Sequence, residues 1–414
     1  PQRSRLESIN LARDLRRNFP PVQAWMETIR NNVVGADGGK AIFHCADREW
    51  ALAAMAFFNG DFAKNCDFRA ADNWNDVLKN LLEAKKRDGD ALLIFDGGAD
   101  VGPIEDAGKI LIYEADQITD IRDWESCPLY EHDRRMDNGI ITDAYGRALY
   151  YIVCARNGMI DAPYADVTPI PARYARLIRE TWRPGNHRGI SGLLAAAADM
   201  QDAYEMRQIE KQSAKAGARI VGVRTVNQMP ELPPIGAAEI NEDGTPKTSG
   251  PVTQYAAMEA LTGGVFEYVE PGESIDLKSF DRPSTAFREF SKDLLKSAGA
   301  SLGLAQCFSL FEVSTSYTAF RGEQLITWQT LFTPEQKKLE RYVCDFVAER
   351  AIAHAIRTGK LGAPKSSWRV SWSWPTMRPV DPLKDAMAQA ELIKNALADY
   401  SEIIGPNWRD TFAA

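Results

Sequence analysis

Apolar positions recur at helical spacing through the first ninety residues. RLESINLARDLRRN reads as one helix, a Pro20-Pro21 break follows, and a second helix is expected from Val22 to about Asn32. A third covers Glu49 to Phe58. In NWNDVLKNLLEAKKRDGD, Val77, Leu81, Leu82 and Lys85 share a side, with Gly89 as the stop. From Ala91 to about Cys154 the segments ALLIFD, KILIYEA and RALYYIVCA are rich in β-branched and aromatic residues and separated by Gly and Asp turns, so they read as strands. This part of the chain is α+β.

A different pattern begins at Arg188: RGISGLLAAAADMQDAYEMRQIEKQSAKAG. It has no proline from Ile190 to Ala216, strong helix formers at Ala195–Ala198, and Gly217 where a helix would stop. A helix over that range is roughly 40 Å long. Its apolar stripe is thin, Leu193, Ala197, Met200 and Tyr204, and gives way to Arg207, Lys211 and Lys215. Such a helix needs close neighbours, because alone in water it would rarely hold.

Turn residues then dominate Ile220 to Ala256, and with GGVFEYVEPGES they predict a small β-rich insertion with one short helix near Val252 to Leu261. Pro283 and Ser284 open another helix, in which Phe287, Phe290, Leu294, Ala298 and Leu302 share a face. LAQCFSLFEVSTS reads as non-helical. YTAFRGEQLITWQTLF and, after Pro334, EQKKLERYVCDFVAERAIAHAIRTG read as two more helices. WRVSWSWP reads as a strand with Trp368, Val370, Trp372 and Trp374 on one face. The last helix has Asp381 as cap and Pro382 in its first turn, with Leu383, Met387, Ala390, Ile393 and Leu397 along it.

Motifs for chemistry are scarce. GADGGKA at 35–41 lacks both the first glycine and the Ser/Thr of a phosphate loop, since Val34 and Ala41 occupy those places. GISGL lacks the final glycine of a nucleophile elbow, and Ser191 reads as lying near the start of the long helix. The four histidines fall in no short metal-ligand spacing. His187, between Arg183 and Arg188, is the one placed for chemistry, and an exposed loop position is its simpler reading. The six cysteines form no CxxC pair and read as buried free thiols in a reducing compartment. No catalytic residue, metal ligand or cofactor is expected.

The order of the segments carries more than any single motif. GDAL (Gly89 to Leu92), DAYGRALYY (Asp143 to Tyr151), RPGNHRGISGL, VEPGE (Val269 to Glu273), FREFSKDLLKSAGASLGL, SYTAFRGEQLITWQ and VDPLKDAMA follow one another as they do in the lambda-type portal proteins of tailed bacteriophages, which the chain resembles over nearly its whole length. It departs from that pattern around Phe308 to Ser316, where the family has a more acidic segment.

The resemblance implies a portal-type α+β fold assembled as a ring, dodecameric in that family, around a DNA channel. Carried over by segment, 1–189 is an α/β wing, 190–217 and 284–303 are two stem helices, and 218–283 is a β-rich clip. Residues 304–316 are a tunnel loop, 317–375 return to the wing, and 376–414 form part of a helical crown. Phe308, Ser309, Leu310, Phe311, Glu312, Val313 and Ser314 are then candidates for the narrowest ring of the channel. Lys211, Lys215, Lys292 and Lys296 are candidates for facing it. The implied partners are further copies of the chain, double-stranded DNA in transit, the large terminase, head-completion or tail connector proteins, and the major capsid protein. The implied setting is the capsid vertex of a virion assembled in the bacterial cytoplasm.

Charge fits a conduit better than a clamp. The chain carries a formal −8, so a twelve-fold ring carries roughly a hundred negative charges, which disfavours adhesion of a polyanion. No apolar run approaches the roughly 18 residues of a membrane span, so no membrane partner is expected. Pro1 in place of an initiator Met reads as a trimmed chain, which gives a missing targeting signal little weight. Two other readings stay open: a nucleic-acid-processing or hydrolytic enzyme with a spatially assembled site, and a non-viral ring adaptor of a gene-transfer particle.

Overall fold

A computed structural model describes residues 2–36, 38–95, 108–155, 158–181, 183–225, 265–269, 285–313, 316–377 and 381–397. The chain forms two compact units, one of residues 1–197 with 296–414 and one of residues 198–295.

In the first unit, helix α1 (Gln2–Asn18) buries Ile9, Ala12 and Leu15. Helix α2 (Pro20–Val33) takes both prolines into its first turn, where no N–H is needed, and buries Val22, Trp25, Met26, Ile29 and Val33. After strand β1 (Lys40–Cys45), helix α3 (Arg48–Ala56) is capped by Asp47 and runs on through a π turn at Phe57–Phe62. Helix α4 (Trp74–Asp88) is capped by Asn73 and stops at Gly89, whose φ of +97° ends it as the sequence predicts. The buried side of α1 packs on both α2 and α4.

Two antiparallel sheets follow. One has the order β3 (Ile110–Glu114), β2 (Asp90–Phe95), β8 (Ala175–Arg179), with every residue of the central strand buried. The other has the order β4 (Arg135–Asp137), β5 (Ile140–Thr142), β6 (Ala148–Cys154), β7 (Val167–Pro171). Leu92 and Ile94 of the first sheet pack with Ile140, Tyr151, Val153 and Ile170 of the second in one apolar core.

After a short helix α7 (Gln306–Ser309), helices α8 (Tyr317–Thr327), α9 (Thr333–Leu339) and α10 (Asp345–Arg357) form one continuous run, joined by π turns at Trp328–Phe332 and Glu340–Cys344. Strand β11 (Trp368–Ser373) pairs antiparallel with β1. Its Trp368 meets Phe43 and Trp50, and Trp372 meets Phe58 and Trp74, so the alternation read from the sequence does define a face. Trp374 lies beyond the strand. Helix α11 (Pro382–Lys394) starts at the Asp381 cap, which accepts from the Lys384 amide, and ends before Ala396, whose φ is +56°.

The second unit contains most of helix α5 (Ala197–Arg219), the start of α6 (Thr285–Ser301), and strands β9 (Ile220–Thr225) and β10 (Val265–Val269), which pair in parallel. The helix expected near Val252 to Leu261 lies outside the described residues. Among the described residues no helix is long and apolar enough to cross a membrane.

Three expectations about α5 and α6 need correction. The long helix begins at Ala197 rather than Ile190, because the backbone before it is bonded elsewhere. The Ile190 amide donates to the Glu180 carbonyl at 3.2 Å, the Gly192 amide to the Lys86 carbonyl at 3.2 Å, and the Leu193 amide to the Ser191 hydroxyl at 3.2 Å. Ser191 therefore sits buried outside the helix. The helix also passes through Gly217, a penalty of about 1 kcal/mol that one glycine can impose without ending a helix. Among the described side chains of α6 the buried positions are Leu295, Ala298 and Gly299, followed by Leu302, so the face read from the sequence is covered at Ala298 and Leu302 but not at Phe290, which is 48% exposed.

Candidate functional site

The departure point of the long helix is built from charge. Asp90, fully buried at the start of β2, accepts from Arg188 Nε at 2.8 Å, from Arg188 Nη2 at 3.0 Å, from Arg5 at 2.8 Å and from the Gly189 amide at 2.8 Å. Arg188 spends its remaining donors on the carbonyls of Ala115, Ile118 and Asn138. Burial works against the Asp90 carboxylate, but Arg188 and Arg5 outweigh it and hold its pKa below the ordinary value. Gly189 lies against Gly89 so closely that a Cβ on it would stand 1.9 Å from the Gly89 carbonyl oxygen. His187, the residue the sequence marked, is half-buried and offers its carbonyl to Arg179. Its neighbour Arg188 holds the structural role.

A second ionic cluster braces α4 to α9 and the end of β8. Buried Lys85 pairs with Glu335, and with Glu180 at 3.1 Å. Lys86 reaches Glu180 and Glu335, each at 3.2 Å. Burial opposes ionisation of Glu335, yet Lys86, Lys85 and Lys338 together bring it down to about 2.

The segment singled out as a tunnel loop is half anchored and half exposed. Its first part is the short helix Gln306–Ser309 rather than irregular chain, because its amides find side-chain acceptors. The Ala305 amide donates to Thr327 Oγ1 at 3.0 Å and the Cys307 amide to Glu323 Oε2 at 2.8 Å. Burial and the Glu323 carboxylate push the Cys307 thiol up to about 12, so it stays protonated. Trp25, fully buried in α2, donates its indole N–H to the Ser309 carbonyl at 2.8 Å. Phe308 sets its edge on Phe332 with centroids 5.5 Å apart, and Ser309 is seated against Gly299, where a Cβ would come within 2.4 Å of it.

The chain then turns outward. Leu310 is half-buried, Phe311 adopts φ +56° and is 55% exposed, and Val313 is 71% exposed. Glu312 is exposed and engaged by a neighbouring group. Ser314 lies outside the described residues. Of the four lysines, Lys211 and Lys215 are exposed on α5, while Lys292 and Lys296 on α6 are half-buried and engaged. Trp25, Glu323 and Thr327, which fix the root of the loop, were missed by sequence reasoning. Trp25 is 284 residues from its partner, and no local spacing announces such a bond.

All six cysteines are free thiols, five of them buried. Among the described residues no group of three potential metal ligands comes together.

The sequence matches the family described as phage portal protein, lambda family, over residues 2–332, and the chain belongs to that family. The family is structural rather than enzymatic, which removes the hydrolytic-enzyme reading. The fold is similar to chains in the neck of a native gene transfer agent particle computed with C12 symmetry (11% identity, TM-score 0.52, covering 95% of this chain and 91% of that one). It is also similar to a chain in the virion of a native gene transfer agent particle (10% identity, TM-score 0.54, covering 96% and 91%). A third likeness is to the neck of an empty particle computed with C6 symmetry (13% identity, TM-score 0.50, covering 94% and 91%). No curated protein matches the chain in sequence.

Proposed function

We propose that this chain is the portal subunit of a tailed-phage-like particle, closing with further copies, twelve by analogy with the C12 neck, into a ring at one capsid vertex. Duplex DNA passes through the ring, driven inward by the ATPase of a large terminase and released outward later. Family membership over residues 2–332 carries this reading. Residues 218–283 form the clip that docks the terminase and then the head-completion or tail connector proteins, and residues 1–189 form the wing that faces the major capsid protein. Helices α5 and α6 are the stem. Phe311, Glu312 and Val313, the exposed part of the tunnel loop, face the DNA, since Ser309 is buried and Phe308 is half-buried against Phe332. Lys211 and Lys215 are the better-placed guiding cations, being exposed and without an ion pair among the described residues.

Top views of the purified protein by negative-stain electron microscopy, with native mass, test the assembly. A closed ring with a central hole is expected, and a monodisperse monomer at high concentration overturns the reading. The same conduit in a gene-transfer particle is the second reading, favoured by the fold likeness to such particles. Sequencing the DNA from purified particles separates the two, because one cargo is a defined genome and the other is assorted host fragments.

A further inference from the structure

A cavity of about 730 Å³ opens beside the four-stranded sheet, between β6, the β7–β8 connection and the second π turn. Among the described residues its lining holds Arg134, Arg147, Arg173 and Arg176 together with Tyr150 and Tyr342, and not one carboxylate. In a chain of net charge −8 this is a local inversion of sign. Another cavity of the same unit shows the ordinary arrangement. There Arg30, Arg69 and Arg87 face Asp72, Glu83 and Glu114, and the cations are matched.

Around the 730 Å³ cavity the balance is different. Arg134 pairs with Glu131, which stands outside the lining, and Arg173 is engaged by a neighbouring group. Arg147 and Arg176 have no ion pair among the described residues, Arg176 donating from one nitrogen to the carbonyls of Ala172 and Ala175. Arg176 lies over the Phe346 ring at 4.1 Å, and Arg350 lies over the same ring at 3.6 Å. Burial and then Arg176 lower the Arg350 pKa below its ordinary value, and the opposing pull of Glu349 is weaker. Two guanidinium groups sharing one ring leave a standing positive potential, and the aromatic face fixes their planes in place.

We propose that this cavity is a docking pocket for an acidic peptide segment of a partner protein, whose carboxylates the arginine forks receive while its backbone lies along Tyr150 and Tyr342. The pocket volume falls within the roughly 300–1,000 Å³ of concave ligand sites, which suits side chains entering one at a time. A DNA duplex is convex and would contact only the rim. The cations here are gathered in a concavity, not strung along a track following a phosphate backbone. Arginine with tyrosine and no lysine also matches the composition of contact centres between proteins. The inference does not depend on the ring.

Fluorescence anisotropy on the full chain, at low ionic strength, tests it with two probes: a short fluorescein-labelled glutamate-rich peptide and a labelled duplex of equal charge. Arg147→Glu is the first variant, because its exposed side chain makes no ion pair among the described residues and its loss leaves the fold intact. Arg176→Lys is the second, keeping the charge but losing the planar fork. We expect the peptide to bind, Arg147→Glu to weaken it about tenfold or more, Arg176→Lys to weaken it several-fold, and thermal melting to stay unchanged in Arg147→Glu. Absence of peptide binding to the wild-type chain overturns the proposal. So does equal binding to the wild type and both variants, or a duplex that binds more tightly than the peptide and loses that affinity in Arg147→Glu.

Discussion

Asp90 and Arg188 set the terms at the scale of single residues. A fully buried carboxylate receiving two arginines is neutralised only as long as every partner is present. Asp90→Ala strands Arg188 in the interior and is expected to cost about 3–5 kcal/mol, read from urea denaturation. Glu335 adds a pH dependence. Its folded pKa, about 2, lies below its ordinary 4.5, so the folded state favours the carboxylate. The stabilisation is full above the ordinary value and drains away as pH falls from about 4.5 toward 2. Glu335→Gln should flatten the stability profile in that window, measured by denaturation across the same pH range. The sequence exposed little of this. RPGNHRG drew attention to a histidine because histidines do chemistry, but burial belongs to the arginine beside it, and only the fold brings Asp90, Arg5 and Ala115 to one point.

Elements were more legible than the sites they carry. Helices α1, α2, α4 and α11 and strands β2, β3, β6 and β11 follow the periodicity and caps that the chain displays. Strand β1 was not legible, because its partner β11 is far along the chain and its own alternation is broken by half-buried His44 and Cys45. The run from α8 to α10 is different again. The sequence breaks it at Pro334, yet it continues, with buried residues at Trp328, Phe332, Gln336, Leu339, Val343, Val347, Ala351 and Ala355. All but one of these steps are of four residues, and a step of four overshoots an ideal helical turn by about 40°. The two π turns absorb that drift and keep one side facing inward. The first ends at Phe332, so Pro334 falls in the opening turn of α9, where its missing N–H does little harm. In the proposed tunnel loop, the anchored and exposed halves make separate predictions. Replacing Phe311, Glu312 and Val313 by glycine should leave assembly intact and reduce the DNA retained in particles, measured by nuclease-protected content. Unchanged content would remove these residues from the proposed channel. Trp25→Phe should instead loosen the loop root and cost about 1 kcal/mol in thermal or urea denaturation.

The whole chain leaves apolar surface that one copy does not cover. Ile326 on α8 is 56% exposed and Ile209 on α5 is 59% exposed, beside Leu325 and Tyr204 on the same helices. If the ring forms through these helices, Ile326→Asp should shift native mass toward monomer while its melting curve, taken on the monomer, stays put. Persistence of full rings would exclude that face from the contact. The thinness of the α5 stripe predicts neighbours for that helix, but where contacts fall depends on side chains that only the folded chain sorts into covered and uncovered. One bond reaches across these scales. Because the Trp25 indole proton is held by the Ser309 carbonyl, any pull on residues 310–313 by DNA in the proposed channel would strain that link. A fluorine label on this tryptophan would report such an event from a fully buried position, with no probe placed in the proposed channel.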